Sequence, residues 1–182
     1  LQITLARRQR DAAVTALQTP VLALTGGPGT GKTTTVVEVI RQALARGERV
    51  LACAPSNTAV DNLLERLVNS GVQAVRLGHP ARVLDVVRTR TLDALVERHE
   101  TRPLIEDLTR EADQLERRAS RYTRARPSRG QKFQQRQEVR ELRKHARAIE
   151  RQAVEDILTG AEVICATVSF DFSILADQSF DL

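Results

Sequence analysis

The chain has 182 residues, 28% charged and 41% hydrophobic, with 28 Lys and Arg against 23 Asp and Glu and a formal net charge of +5. That size suits one full core, or one domain with an extension. No stretch approaches the ~20 apolar residues of a membrane span, and the N-terminal segment with Arg7, Arg8 and Arg10 lacks an apolar core, which argues against a membrane protein and a signal peptide and for a cytoplasmic protein.

Apolar residues at Ala13, Val14 and Leu17 suit a short amphipathic helix over Ala12 to Leu17, which Pro20 ends. Val21-Leu22-Ala23-Leu24-Thr25 is a β-branched, apolar run of the kind that makes a buried parallel strand. It leads into Gly26-Gly27-Pro28-Gly29-Thr30-Gly31-Lys32-Thr33, which fits the phosphate-binding pattern G-x-x-x-x-G-K-[ST] at every constrained position. Glycines here let successive NH groups turn inward around phosphate oxygens, and the helix opening near Lys32 adds its positive end. Lys32 is expected to reach the β and γ phosphates, and Thr33 to place its hydroxyl on Mg²⁺, with Thr34 beside them at the nucleotide. A plain glycine-rich turn would need neither the lysine nor three glycines.

The helix after this loop carries Val36, Val37, Val39, Ile40, Ala43 and Leu44, and Gly47 sits where a C-terminal cap belongs. Arg49 to Ala54 reads as a second strand, stopped by Pro55. Ser56 or Asn57 can then cap a helix with Val60, Leu63, Leu64, Leu67 and Val68 on one face. Gly71 closes it, and Val72 to Leu77 gives a third strand. The alternation predicts a doubly wound α/β domain. Ligands bind such sheets at the C-terminal ends of the strands, so the Gly26 loop and the Ala54-Pro55-Ser56-Asn57 loop should open on one side. Cys53 and Cys165 lie in apolar strand-like runs and read as small core residues. With His79, His99 and His145 they show no metal-ligand spacing, so no structural zinc is expected.

Gly78-His79-Pro80 reads as a turn, and Leu84, Val87, Leu92, Leu95 and Val96 as short helical pieces. From Pro103 the pattern changes. Ile105, Leu108, Ala112, Leu115, Ala119 and Tyr122 alternate spacings of three and four, and Val139, Leu142, Ala146, Ile149 and Ala153 repeat that rhythm. With Pro127-Ser128-Arg129-Gly130 as the turn, an antiparallel helical hairpin is predicted. From Arg102 to Arg151 there are 15 Lys and Arg against 8 Asp and Glu, a local charge of +7 beside +5 for the whole chain. The basic excess therefore sits on the hairpin, as a phosphate-backbone contact would have it. A solvated face with i,i+4 pairs such as Glu106 with Arg110 explains it equally well. Ala161 to Thr167 then returns to a strand. The expected units are residues 1–101 as the first part of a nucleotide-binding core, 102–158 as the basic hairpin, and 159–182 as the return to the core.

Ala54-Pro55-Ser56-Asn57-Thr58-Ala59-Val60-Asp61-Asn62-Leu63, following the glycine loop at this distance, resembles motif Ia of superfamily 1 helicases. The nearest group is that of the RNA-surveillance helicase and the immunoglobulin mu-binding-protein helicase. Val75 to Arg82 and Ala161 to Thr167 are similar to later segments of the same group's first RecA-like domain, while the resemblance is weaker in the hairpin, where that group carries a helical insertion. The resemblance implies a P-loop RecA-like parallel sheet with helices on both faces, interrupted by the hairpin. It puts Gln9 on the adenine-recognising Q motif, Ser56 and Asn57 on residues that hold a single-stranded backbone, and Thr167 on a motif that also touches the strand. It implies ATP and Mg²⁺ as cofactors and single-stranded DNA or RNA as partner. Gly27 stands where the group usually has proline, as in the RecD-type helicases, so the resemblance leaves DNA and RNA both open.

In that family a Walker B strand ending in Asp-Glu would begin almost where this sequence stops, at Phe180-Asp181-Leu182, with the arginine fingers and second RecA-like domain beyond. The chain is therefore expected to be the N-terminal part of a helicase motor, short of the groups that hydrolyse ATP, with the remainder of the motor as its partner. A sheet cut there would expose an edge and favour self-association. The alternative reading is a non-catalytic nucleic-acid-binding or interaction module that works through the basic hairpin. A small-molecule kinase shares the loop, and a guanine-specific GTPase is disfavoured by the lack of Asn-Lys-x-Asp. Only Tyr122, Phe133, Phe170, Phe172 and Phe180 are aromatic, so backbone contacts rather than base stacking are expected to dominate any strand binding.

Overall fold

The computed structural model describes residues 5–18, 29–78, 85–120 and 129–182. The chain divides into two compact units, one formed by residues 1–94 and 158–182, the other by residues 95–157.

The first unit is α/β, a small parallel sheet flanked by helices. Its elements in order are α1 (Arg7–Ala16), α2 (Lys32–Ala45), β1 (Val50–Ala54), α3 (Asn57–Asn69), β2 (Ala74–Arg76), α4 (Asp85–Arg88), the start of α5 (Leu92–Glu97) and β3 (Val163–Thr167). The strand order is β1-β3-β2, all parallel, with Val50 opposite Val163, Ala54 opposite Thr167 and Ala74 opposite Val163. The strand separated by more than a hundred residues from β1 thus inserts between the two that are consecutive in sequence. Every residue of β3 up to Ala166 is buried, which is why its sequence reads as an unbroken apolar run.

One core joins the layers: Val37, Ile40 and Ala43 of α2 and Val60, Leu63, Leu64 and Leu67 of α3 pack with Val50, Ala74, Val163 and Cys165 of the strands. These are the positions that helical and strand periodicity select. Gly47 and Gly71, at φ of 80° and 87°, end α2 and α3 in the left-handed conformation that glycine takes without strain. Arg49, ahead of β1, holds the unit's far end: its guanidinium donates to the carbonyls of Leu158 (2.8 Å) and Ser179 (3.2 Å) and to Gln178 Oε1 (2.9 Å). Residues 181 and 182 lie along β1, where Leu51 N donates to the Leu182 carbonyl at 2.8 Å.

Three local expectations change. Helix α1 starts earlier, at Arg7, so Gln9 is helical, and Val14 stands 50% exposed while only Ala13 of its apolar trio is buried. Cys165 is buried and burial pushes its thiol up to about 12, but Cys53 is exposed on β1. Successive strand residues face opposite ways, and Cys53 points away from the core that its neighbours Ala52 and Ala54 meet. The third strand, expected over Val72 to Leu77, is only three residues long and closes on a buried arginine, Arg76. The strand expected at 21–25 lies outside the described residues.

The second unit is helical: the rest of α5, α6 (Arg102–Ser120) and most of α7 (Arg129–Gly160). Ile105 and Ala112 on α6, and Val139, Ala146 and Ala153 on α7, are buried, and their spacing of seven marks the seam of a helical pair. Arg143 of α7 donates to Asp113 (3.1 Å) and Glu116 (2.6 Å) of α6. A groove of about 610 Å³ runs between Arg102 and Ile105 at the start of α6 and Ala146 and Glu150, beyond Arg143 on α7, so the helices are antiparallel. Helix α7 already includes Arg129 and Gly130, which were expected in the turn, while Pro127 and Ser128 lie outside the described residues. Glu106 pairs with Arg102 rather than Arg110, and Arg110 turns to Asp107, one helical turn of three instead of four.

Candidate nucleotide and nucleic-acid site

The described part of the glycine loop runs from Gly29. Gly29 and Gly31 both have φ of 80°, a left-handed backbone that other residues adopt only under strain. Gly31 is the N-cap of α2, and Lys32 its first residue. The first intrahelical bond is Thr35 N to the Gly31 carbonyl at 3.0 Å, and no side chain caps the helix. The end of α2 therefore offers backbone NH groups and a partial positive charge, the arrangement that accepts phosphate. Gly26, Gly27 and Pro28 lie outside the described residues.

Gln9 reaches this loop from α1. Its Oε1 accepts from Ala6 N at 2.9 Å and its Nε2 donates to the Thr30 carbonyl at 3.3 Å. A Cβ on Gly31 would collide with that Nε2, so the loop's close approach to Gln9 also requires glycine. Both polar ends of the Gln9 amide are thus engaged by backbone, at the edge of the loop. Thr34 faces sideways: its Oγ1 accepts from Arg66 Nη1 of α3 at 3.1 Å, which ties the first turn of α2 to α3. Thr35 is buried, its hydroxyl on the Gly31 carbonyl at 3.2 Å.

The second loop follows β1. Ser56 caps α3, its Oγ accepting from Ala59 N at 3.2 Å. Thr167 ends β3 in register with Ala54, Val168 N donates to the Ala54 carbonyl at 3.1 Å, and Ser169 Oγ lies 3.4 Å from Thr167 Oγ1. Ser56, Asn57 and Thr167 therefore share the C-terminal end of the sheet. Helix α2 packs on β1 and joins it through residues 46–49 alone, so its other end, with Gly31 and Lys32, points toward that same end of β1. The described end of the glycine loop, Gly29 to Lys32, and the Ser56 loop thus lie at the same end of β1.

Beneath them lies a group that the sequence reading missed. Arg76, 0% exposed, donates from Nε to Asp61 Oδ1 at 3.1 Å, from Nη2 to Asn57 Oδ1 at 2.6 Å, and from Nη1 to the Leu77 carbonyl. Asp61 is itself only 1% exposed. A signal existed: Asp61 interrupts the apolar face Val60, Leu63, Leu64, and Arg76 sits between Val75 and Leu77. A charge on each of two buried faces calls for a partner on the other.

A parallel sheet with a glycine-turned loop opening its helix is a P-loop RecA-like domain. The comparisons with known proteins narrow this class. The family model described as an AAA domain matches residues 4–182, and the chain belongs to that family. It is 43% identical over 165 residues, 90% of its length, to DNA-binding protein SMUBP-2 of Rattus norvegicus. It is 38% identical over 143 residues, 79% of its length, to DNA polymerase alpha-associated DNA helicase A of Schizosaccharomyces pombe. Over 70 residues, 38% of its length, it is 43% identical to the regulator of nonsense transcripts 1 homolog of Arabidopsis thaliana. With the AAA domain match, these relatives place the chain's sequence in the superfamily 1 helicase family. The chain spans 16%, 21% and 6% of those three relatives.

Proposed function

We propose that this chain binds Mg·ATP through Gly26, Gly27, Pro28, Gly29, Thr30, Gly31, Lys32, Thr33 and Thr34, with Gln9 at the adenine side, and holds a single nucleic-acid strand with Ser56, Asn57 and Thr167, as part of an ATP-dependent helicase motor. The observation that carries the reading is the pair of left-handed glycines, Gly29 and Gly31, setting Lys32 at the head of an uncapped α2 on the sheet end that also presents Ser56, Asn57 and Thr167. Among the described residues no three His, Cys, Asp or Glu gather as a metal cluster. A hard magnesium ion would rest on the Thr33 hydroxyl and on the nucleotide's own phosphates. When bound, the nucleotide supplies the phosphoryl group whose transfer drives the motor; the chain's part is to grip its phosphates with α2 and Lys32. Backbone binding without base reading fits a translocating motor, because every step along the strand must be alike.

The test is binding of a fluorescent ATP analogue in Mg²⁺, alongside binding of a labelled single-stranded oligonucleotide. Lys32→Ala is expected to weaken the nucleotide at least ~100-fold, as losing a charge-assisted phosphate contact in a preformed cradle should. Unchanged nucleotide affinity would overturn the reading.

A second reading rests on the basic excess of the α6–α7 unit, which would make that unit the nucleic-acid contact. Loss of oligonucleotide binding on replacing Arg140 and Arg147 by alanine, with Asn57→Ala and Lys32→Ala neutral, would select it.

A further inference from the structure

We infer that Arg76 is a positioning residue that locks the Asn57 amide with its oxygen inward and its NH2 group outward, so that the loop presents donors alone to the acceptor oxygens of a nucleic-acid backbone. The inference rests on the strand-binding role proposed for Asn57.

The argument starts from donor inventory. A guanidinium has five N–H donors and no acceptor. Asn57 can therefore meet Arg76 Nη2, at 2.6 Å, only through Oδ1. The remaining end of the side chain is the NH2 group, and it faces away from the arginine. Left to itself an amide turns either end outward, and an outward oxygen would repel phosphate. The buried partner removes that freedom.

Arg76 can hold the amide because it is itself buried and hydrogen-bonded at three nitrogens. Asn57 and Asp61 are four residues apart on α3 and so lie on one face, one turn above the other. The fork of Arg76, coming from the end of β2, spans both: Nε takes Asp61 Oδ1 and Nη2 takes Asn57 Oδ1. Nη1 is fixed to the Leu77 carbonyl. Asp61 Oδ2 is buried and accepts no hydrogen bond among the described residues, so Arg76 is the carboxylate's polar anchor. Gly78 makes the room: it has φ of 121°, and a Cβ there would stand 2.5 Å from Arg76 Nη1. A lysine could not replace this arginine, because one ammonium cannot reach two acceptors in a fixed planar fork.

The experiment is a double-mutant cycle on the 182-residue chain, reading the affinity of fluorescein-labelled single-stranded oligo(dT). Asn57→Ala and Arg76→Lys are each expected to weaken binding about tenfold, the size of one hydrogen bond to a charged group, and the combined variant no more than either alone. Losses that multiply, or an Arg76→Lys chain that binds as before, overturn the proposal. If Asn57→Ala leaves binding unchanged, the strand-binding role of Asn57 fails, and the lock is judged without oligonucleotide. Arg76→Lys must then shift the Asn57 side-chain amide resonances, and unmoved resonances overturn the lock itself. Should Arg76→Lys not fold, Asn57→Asp decides: it is expected to keep the midpoint of unfolding, since a carboxylate still accepts from Nη2, while binding more weakly than Asn57→Ala. A lowered midpoint, or binding as tight as the unsubstituted chain, overturns the proposal.

Discussion

In the α/β unit the ion pair of Arg76 and Asp61 is 0% and 1% exposed, whereas in the helical unit Arg143 is 41% exposed beside Asp113 at 48% and Glu116 at 58%. The chemistry is the same and the solvent differs. Removed from water, Arg76 must find its hydrogen bonds within the protein, and it does so with Asp61, Asn57 and the Leu77 carbonyl. The buried pair therefore specifies an arrangement, tying α3 to β2 at one register. Arg143 remains wet: hydrogen bonds to Glu116 and then Asp113 push its guanidinium above its ordinary value, yet water can replace either carboxylate.

The comparison is broken or sharpened by three substitutions. Asp61→Ala leaves a guanidinium buried against no anion and should cost ~3–5 kcal/mol in chemical denaturation; a cost below ~1 kcal/mol would mean that water reaches Arg76 and that the contrast is false. Ala112→Leu tests whether the helical unit depends instead on its apolar seam, since Ala112 is 0% exposed and the larger side chain would be forced into it. Overpacking of this kind should cost ~1–3 kcal/mol. Arg143→Ala is expected to leave the unfolding midpoint unmoved at both low and high salt. A clear drop that salt erases would show that the exposed cluster does structural work, and would bring the two units closer than their exposures suggest.

Much of the α/β unit was legible because its signals are local. The apolar run Val163 to Thr167, the face Val60, Leu63, Leu64, Leu67, and the stop glycines Gly47 and Gly71 are each read within one turn or one strand. The Ser56 cap follows from a hydroxyl ahead of a periodic apolar stretch. The helical seam was legible for the same reason, its buried positions repeating every seven residues. The failures are those where a neighbour decides. Cys53 has an apolar context along the chain but faces away from the core across the sheet. Glu106 had Arg102 and Arg110 within reach along α6, and side-chain geometry chose the former. Val14 matched the helical pattern of α1, yet it stands 50% exposed while its neighbour Ala13 is buried.

The sequence by itself determined which residue types could cradle phosphate, where α2 and α3 begin and end, and that charge gathers between Arg102 and Arg151, because each depends on backbone conformation or composition within a few residues. Only the tertiary structure decided that β3 would enter between β1 and β2, that Gln9 would close on Thr30, and that Arg76 would meet Asp61 and Asn57 across the end of the sheet. Those contacts join residues that are 15 to more than a hundred positions apart. Their selection comes from excluding water between layers, a property of the packed molecule that no single stretch of chain possesses.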